Sequence, residues 1–347
     1  MHCTGTAQGD TVESSLSLRL KMYLTLALIF AVGSAVIYAV MFYLGFGFIF
    51  VIPITILFFL LQWYASPALL KYGLHLQYLK EGEMPELQQY VGEASRQAHI
   101  KAPKIAIAQL DQPNAFVFGR TPSSATLVIH KGLLSRINDR ELRAVISHEL
   151  GHVKHSDMVV MAVVSFIPML AWFVAQDMFW GSMFGGNRNG ELPIIAIGMI
   201  AFLVYIISQL LILALSRARE SFADRYSAES TGDPASLARA LIKITSGQAA
   251  APATQRSTGA GSSISRSLYI VDPFSARRDL EMMKKYREEI RELLPEFDID
   301  SEINRAAGKR NIAGSAVLGL FGTHPSTYKR ITSLALINRN IQSGKRQ

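Results

Sequence analysis

The sequence predicts an α-helical membrane protein, with four transmembrane helices joined to a mainly α cytoplasmic domain that contains a small β-sheet. Three observations predict it. Half of the 347 residues are hydrophobic and only 18% are charged, an unusual balance for a water-soluble chain of this size. Four apolar runs reach the roughly 20 residues that a helix needs to cross a bilayer. The segments outside these runs change to mixed patterns with helical and strand periodicity.

The first run extends from Met22 to about Tyr43 and the second from about Phe46 to Tyr64. Gly45 and Gly47 mark a very tight turn between them, so residues 22–66 form a transmembrane hairpin. The first run is too long for a signal peptide and a second follows almost at once, so it reads as an uncleaved anchor. The third runs from Met158 to about Trp180 and the fourth from Leu192 to Leu215. The alternative is that some are buried helices of a soluble domain, but four runs so poor in charge are hard to hide in a small core. Asp177 lies near the end of the third run beside Trp180 and reads as an interfacial residue rather than a functional one.

Orientation follows from Lys and Arg. The segment between the second and third runs carries Lys71, Lys80, Arg96, Lys101, Lys104, Arg120, Lys131, Arg136, Arg140, Arg143 and Lys154. Arg19 and Lys21 precede the first run, Arg217 and Arg219 follow the fourth, and the third-to-fourth loop holds only Arg188. Four spans with both termini and the middle segment inside satisfy the positive-inside rule. The net charge of +8 would suit a nucleic-acid binder, but its placement beside apolar runs argues for a lipid bilayer and against nucleic acid. The organisation is a cytoplasmic tail (1–21), the hairpin (22–66), a first cytoplasmic part (67–157), spans three and four (158–215) and a second cytoplasmic part (216–347). The single Cys, Cys3, excludes an intramolecular disulfide and a cysteine metal cage.

Within the first cytoplasmic part, PELQQYVGEASRQA reads as an amphipathic helix, followed by strand-like runs at KIAIAQL, NAFVFG and ATLVIH. NDRELRAVISHELGHVKH has helical spacing, with Asn138 and Glu141 placed as a cap and its capping-box partner. In the second part, residues 246–267 read as a mobile loop because they are rich in Ser, Gly, Ala and Thr. SARRDLEMMKKYREEIRELL reads as one charged helix with a solvated face, and a last helix begins near Pro325.

The decisive segment is His148-Glu149-Leu150-Gly151-His152. Positions i and i+4 of a helix share a face, so both imidazoles can reach one ion. Zinc accepts imidazole and carboxylate ligands and keeps a position open for water at catalytic sites. Glu149 beside that water can take its proton and pass it to a leaving amine. A third ligand has to come from a second helix. Beyond the fourth run, Glu220 and Asp224 share one helical face. Alone they read as a solvated face. Beside the His148–His152 helix, Glu220 can ligate the metal and Asp224 can orient a ligating histidine through its other nitrogen. His130 and His155 read as surface residues.

With these motifs in place the chain resembles the HtpX-type membrane zinc metalloproteases, a family related to the CAAX-prenyl protease. The resemblance covers the hairpin, the strands before HELGH, SRARESFAD and the C-terminal GTHPSTYKRI, and thins in 246–267 and the first twenty residues. It implies a zincin-like protease domain holding one zinc ion at His148, His152 and Glu220, with Glu149 as base and Asp224 beside the ligands. It further implies that Asn114-Ala115-Phe116 belongs to an edge strand that aligns substrate. His324-Pro325 with Arg330 matches a pattern whose groups stabilise substrate or oxyanion; for His324 a capping or core role stays open. The family acts in quality control, clipping misfolded membrane proteins, often under stress. The alternatives are a processing protease for a specific membrane or prenylated substrate, a non-catalytic metal-binding scaffold, and an ion transporter. Glu149 argues against the scaffold, and the lack of ionisable groups deep in several spans argues against the transporter.

Overall fold

The computed structural model describes residues 51–184, 191–251, 269–271, 275–307 and 324–342. The predicted tail, the first span and the turn of the hairpin lie outside the described residues. In chain order the elements are α1 (Val51–Gly73), β1 (Gln77–Tyr78), α2 (Pro85–Gln97), β2 (Lys104–Ala108), β3 (Ala115–Phe118), β4 (Thr126–His130), α3 (Lys131–Leu134), α4 (Asp139–Lys154), α5 (Asp157–Phe184), α6 (Glu191–Thr231), α7 (Pro234–Ala250), α8 (Ala276–Lys285), α9 (Arg287–Leu293), α10 (Ile299–Ala307) and α11 (Thr327–Gln342). Three described helices, α1, α5 and α6, are long and apolar enough to cross a membrane. They keep large apolar side chains such as Leu57, Val163, Leu203 and Leu211 exposed, the surface that hydrocarbon rather than protein covers.

The chain divides into two compact units, Phe58–Pro168 with Ile206–Gln347, and Met1–Leu57 with Met169–Tyr205. In the second of these, the Trp172 and Tyr205 rings lie 5.2 Å apart. Gly198 packs against Met178, where a Cβ would come within 3.0 Å of its Cβ, the close approach that small residues allow between membrane helices.

The first unit is built on a four-stranded sheet in the order β1-β2-β4-β3. β2 runs parallel to β4, while β1 and β3 are antiparallel to their neighbours. The three longer strands occupy the three predicted runs. β1, only two residues long, carries no periodic signal and forms by pairing with β2. β3 is an edge. The Asn138 cap is present as expected: the Glu141 amide donates to Asn138 Oδ1 and the Asn138 amide donates to Glu141 Oε2, both at 2.9 Å. α6 ends at Gly232, whose φ of +67° suits glycine. Asp233 then caps α7 by accepting from the Ser236 amide at 3.0 Å, with Pro234 in the first turn.

α7 is the hub of the core, packing against α4, α8, α10 and α11 with Leu237, Leu241, Ile242 and Ile244 fully buried. This corrects two expectations. Residues 246–250, predicted to open a mobile loop, form the last turn of α7 and are almost wholly buried. Small side chains suit a crowded helix as well as a loop, and here tertiary packing overrides composition. Most of the remainder of that predicted loop lies outside the described residues. The charged segment forms two helices parted at Tyr286 rather than one. It also has a buried side, with Leu280, Met283, Ile290 and Leu294 in the core.

Candidate metal centre

α4 and α6 approach closely because Gly151 has no side chain. A Cβ there would lie 3.1 Å from the Tyr226 ring and 3.3 Å from Ala223 Cα. One turn along α6 from Ala223 the Ser227 hydroxyl donates to the Ala144 carbonyl at 2.6 Å, so the two helices are held in register. The contact brings together residues more than 60 positions apart in sequence.

His148 and His152 point from one face of α4, their rings nearly perpendicular with centroids 4.8 Å apart. Glu220 faces both: its Oε2 is 3.5 Å from His148 Nε2 and its Oε1 is 3.5 Å from His152 Nε2. One ligand atom from each residue lies within 4.8 Å of the others, and all three residues are buried. Among the described residues His148 Nε2 and Glu220 Oε2 find no hydrogen-bond partner, although buried polar groups are normally satisfied. Two imidazole nitrogens and a carboxylate oxygen converging on one point form a donor set suited to zinc, so these residues fit the metal.

The surroundings complete the centre. His148 Nδ1 lies 3.0 Å from Asp224 Oδ1. Arg330 grips Asp224 with two bonds, Nε to Oδ2 at 2.8 Å and Nη2 to Oδ1 at 2.6 Å. Its Nη1 donates to the Ile270 carbonyl at 2.6 Å and lies 3.4 Å from Glu220 Oε2. His324 Nε2 is 3.5 Å from Glu220 Oε1. Glu149, 3% exposed, lines the same cleft.

Electrostatics follow from burial and pairing. Burial pulls the His148 imidazole down, but the Asp224 and Glu220 carboxylates outweigh it and lift its pKa to about 10. Glu220 and Asp224 lie beyond the apolar stretch of α6 that ends at Leu215. Burial would raise both; His324 and His148 hold Glu220 well below the carboxylate range, while Arg330 and His148 hold Asp224 down. For Glu149 burial wins and pushes its carboxyl up.

Of the predicted substrate segment, Ala115 and Phe116 lie in β3 and Asn114 immediately precedes it. Asn114 is fully buried and its Oδ1 accepts from the Ile270 amide at 3.0 Å, pinning a second wall of the cleft. The His130 amide donates to the Asn114 carbonyl, and Phe116 is paired with Val128. Backbone groups alternate along an antiparallel ladder, so those of Asn114 and Phe116 face β4, while those of Ala115 and Val117 face the open edge. All of Ala115–Gly119 borders the cleft with His148, Glu149 and His152. Sequence reading passed over Val117, whose outward groups become evident only once the register is known.

His130 corrects an expectation. It is 1% exposed, its Nδ1 donates to the Gln112 carbonyl at 2.9 Å, and the Phe116 and Tyr269 rings meet it edge-on. Burial lowers its pKa to about 4. Its place at the end of the apolar run ATLVIH hints at this in the sequence, but packing decides the burial. His155 is exposed as expected.

Residues 81–337 match the model of peptidase family M48. The chain is 36% identical over 242 residues to "Protease HtpX homolog" of Methanothermobacter thermautotrophicus, covering 67% of this chain and 87% of the relative. It is 32% identical over 332 residues to "Protease HtpX homolog 2" of Methanosarcina mazei, covering 95% and 98%. The crystal structure of S. mikatae Ste24p is similar in fold, with a TM-score of 0.52 at 17% identity over 92% of this chain and 67% of that one. The family resemblance carried by HELGH and SRARESFAD is therefore borne out. With the family model spanning most of its length, the chain belongs to peptidase family M48 and is a membrane-bound zinc metalloendopeptidase.

Proposed function

We propose that this protease works in quality control at the cytoplasmic face of a bilayer, cutting misfolded membrane proteins. In this reading His148, His152 and Glu220 hold the metal and Glu149 is the general base. The observation that carries it is the cleft itself: a buried Glu149 beside the three converging donors, facing an open strand edge. Four spans with the active site inside are supported by the basic residues between the second and third apolar runs.

When bound, zinc supplies Lewis acidity toward the scissile carbonyl and lowers the pKa of water. The chain's own residues do the rest. The outward backbone groups of Ala115 and Val117 take an extended substrate as an added strand. Glu149 removes a proton from the attacking water and returns it to the leaving amine; its raised pKa brings the second transfer within reach. Asp224 fixes the orientation of His148, and Arg330 acts through Asp224 rather than on the substrate. His324, beside Glu220 on the cleft wall, stabilises the negative charge that develops on the substrate carbonyl.

Glu149→Gln tests this. Zinc-loaded wild type should degrade casein or itself, and the variant should lose at least about 100-fold in rate while keeping its zinc. Equal rates would sink the proteolytic assignment of this site.

A further inference from the structure

Each candidate ligand histidine has a carboxylate and an arginine behind it. His148 Nδ1 lies 3.0 Å from Asp224, which Arg330 holds. On the other side of the cleft His152 Nδ1 donates to Asp157 Oδ2 at 2.6 Å, and Arg219 Nε lies 3.0 Å from that same oxygen. Asp157 is 5% exposed. Asp157 opens α5 and Arg219 immediately precedes Glu220 on α6. Between α4 and α5 the chain turns back at Ser156, whose φ of 57° is a left-handed conformation that a non-glycine residue adopts at a cost. The turn returns Asp157 to a histidine five positions earlier.

We infer that Asp157 and Arg219 form a second carboxylate–arginine clamp that orients His152 for the metal, matching the Arg330–Asp224 clamp on His148. A ring nitrogen that donates to a carboxylate fixes the tautomer, leaves Nε2 free to ligate and raises its basicity. Without Asp157 the His152 ring turns freely about its side-chain torsions and Nε2 leaves the point where it meets His148 Nε2 and Glu220. Arg219 keeps the Asp157 carboxylate aimed at His152. Both are positioning residues: neither touches the reacting atoms. Because Asp157 and Arg219 belong to helices that carry apolar spans, metal geometry is tied to the membrane helices themselves.

The inference rests on His148, His152 and Glu220 being the ligands, and the test separates the two. Full-length protein in detergent is titrated with zinc against a chromophoric chelator, and the visible spectrum of the cobalt-loaded form is recorded. Asp157→Asn should weaken zinc about 10–100-fold and shift the cobalt bands. Its kcat at saturating zinc should fall with KM little changed. Asp157→Glu should recover part of the affinity. Arg219→Gln should weaken zinc less, and adding it to Asp157→Asn should cost little more. Zinc affinity within twofold of wild type and an unchanged cobalt spectrum in Asp157→Asn would overturn the clamp. So would a zinc loss matched by a lowered melting temperature of the metal-free protein, the mark of a merely structural Asp157. If Glu220→Ala also retains full zinc affinity, the ligand set fails; if only Asp157→Asn retains it, the clamp alone fails.

Discussion

At the scale of single residues, burial separates the histidines of this chain into different chemistries. His148 and His152 are buried among carboxylates, whereas His130 is buried between two aromatic rings with a carbonyl as its partner. A lowered pKa means that the folded state resists a proton which the unfolded chain accepts. The stability contributed by neutral His130 is therefore complete above about pH 6.5. It drains away as the pH falls toward about 4, by roughly 3 kcal/mol over the whole window. Melting the protein at pH 7 and pH 5 should show a larger drop for wild type than for His130→Phe, which has no proton to accept. Equal drops would show that His130 does not titrate in this way.

At the scale of elements, the free edge of β3 is the part most exposed to test. The register leaves the Val117 amide outside the ladder. Val117→Pro therefore removes one outward donor while keeping every bond to β4, a substitution that edge strands tolerate. One lost backbone hydrogen bond to substrate is worth about 1 kcal/mol, so kcat/KM for peptide hydrolysis should fall roughly 5–10-fold with the melting temperature unchanged. An unaltered kcat/KM would argue that substrate binds elsewhere. The element that delivers Glu220 is α6, 41 residues long and so about 60 Å from end to end at the usual helical rise. One continuous helix carries the apolar run, Arg219, Glu220 and Asp224, so the candidate ligand Glu220 is positioned by its own helix and not by a loop.

At the scale of the whole molecule, α7 carries the stability. The helix is buried along nearly its full length and meets α4, the helix of both histidines. Truncating Leu241, which is 0% exposed, leaves a cavity in the core. Leu241→Ala should cost about 2–5 kcal/mol, seen as a lower melting temperature in detergent. Zinc should be lost only as the protein unfolds, because no ligand or clamp residue is touched. The contrast with Asp157→Asn, which should lose zinc while still folded, distinguishes a packing residue from a positioning one.

Sequence by itself determined what local chemistry encodes: the apolar runs of α5 and α6, the three longer strands, the capped helix that presents His148, Glu149 and His152, and the Glu220–Asp224 face. Each depends on spacing within one element, where 3.6-residue and two-residue periods are legible. Tertiary structure alone decided the rest, because those features join residues across elements. Gly151 lets α6 close on α4, the ladder turns Val117 outward, packing buries His130 and residues 246–250, and a left-handed turn at Ser156 brings Asp157 back beneath His152. A ligand can be guessed from its spacing along one helix; what holds it in place comes from a neighbouring element, and is seen only once the chain has folded.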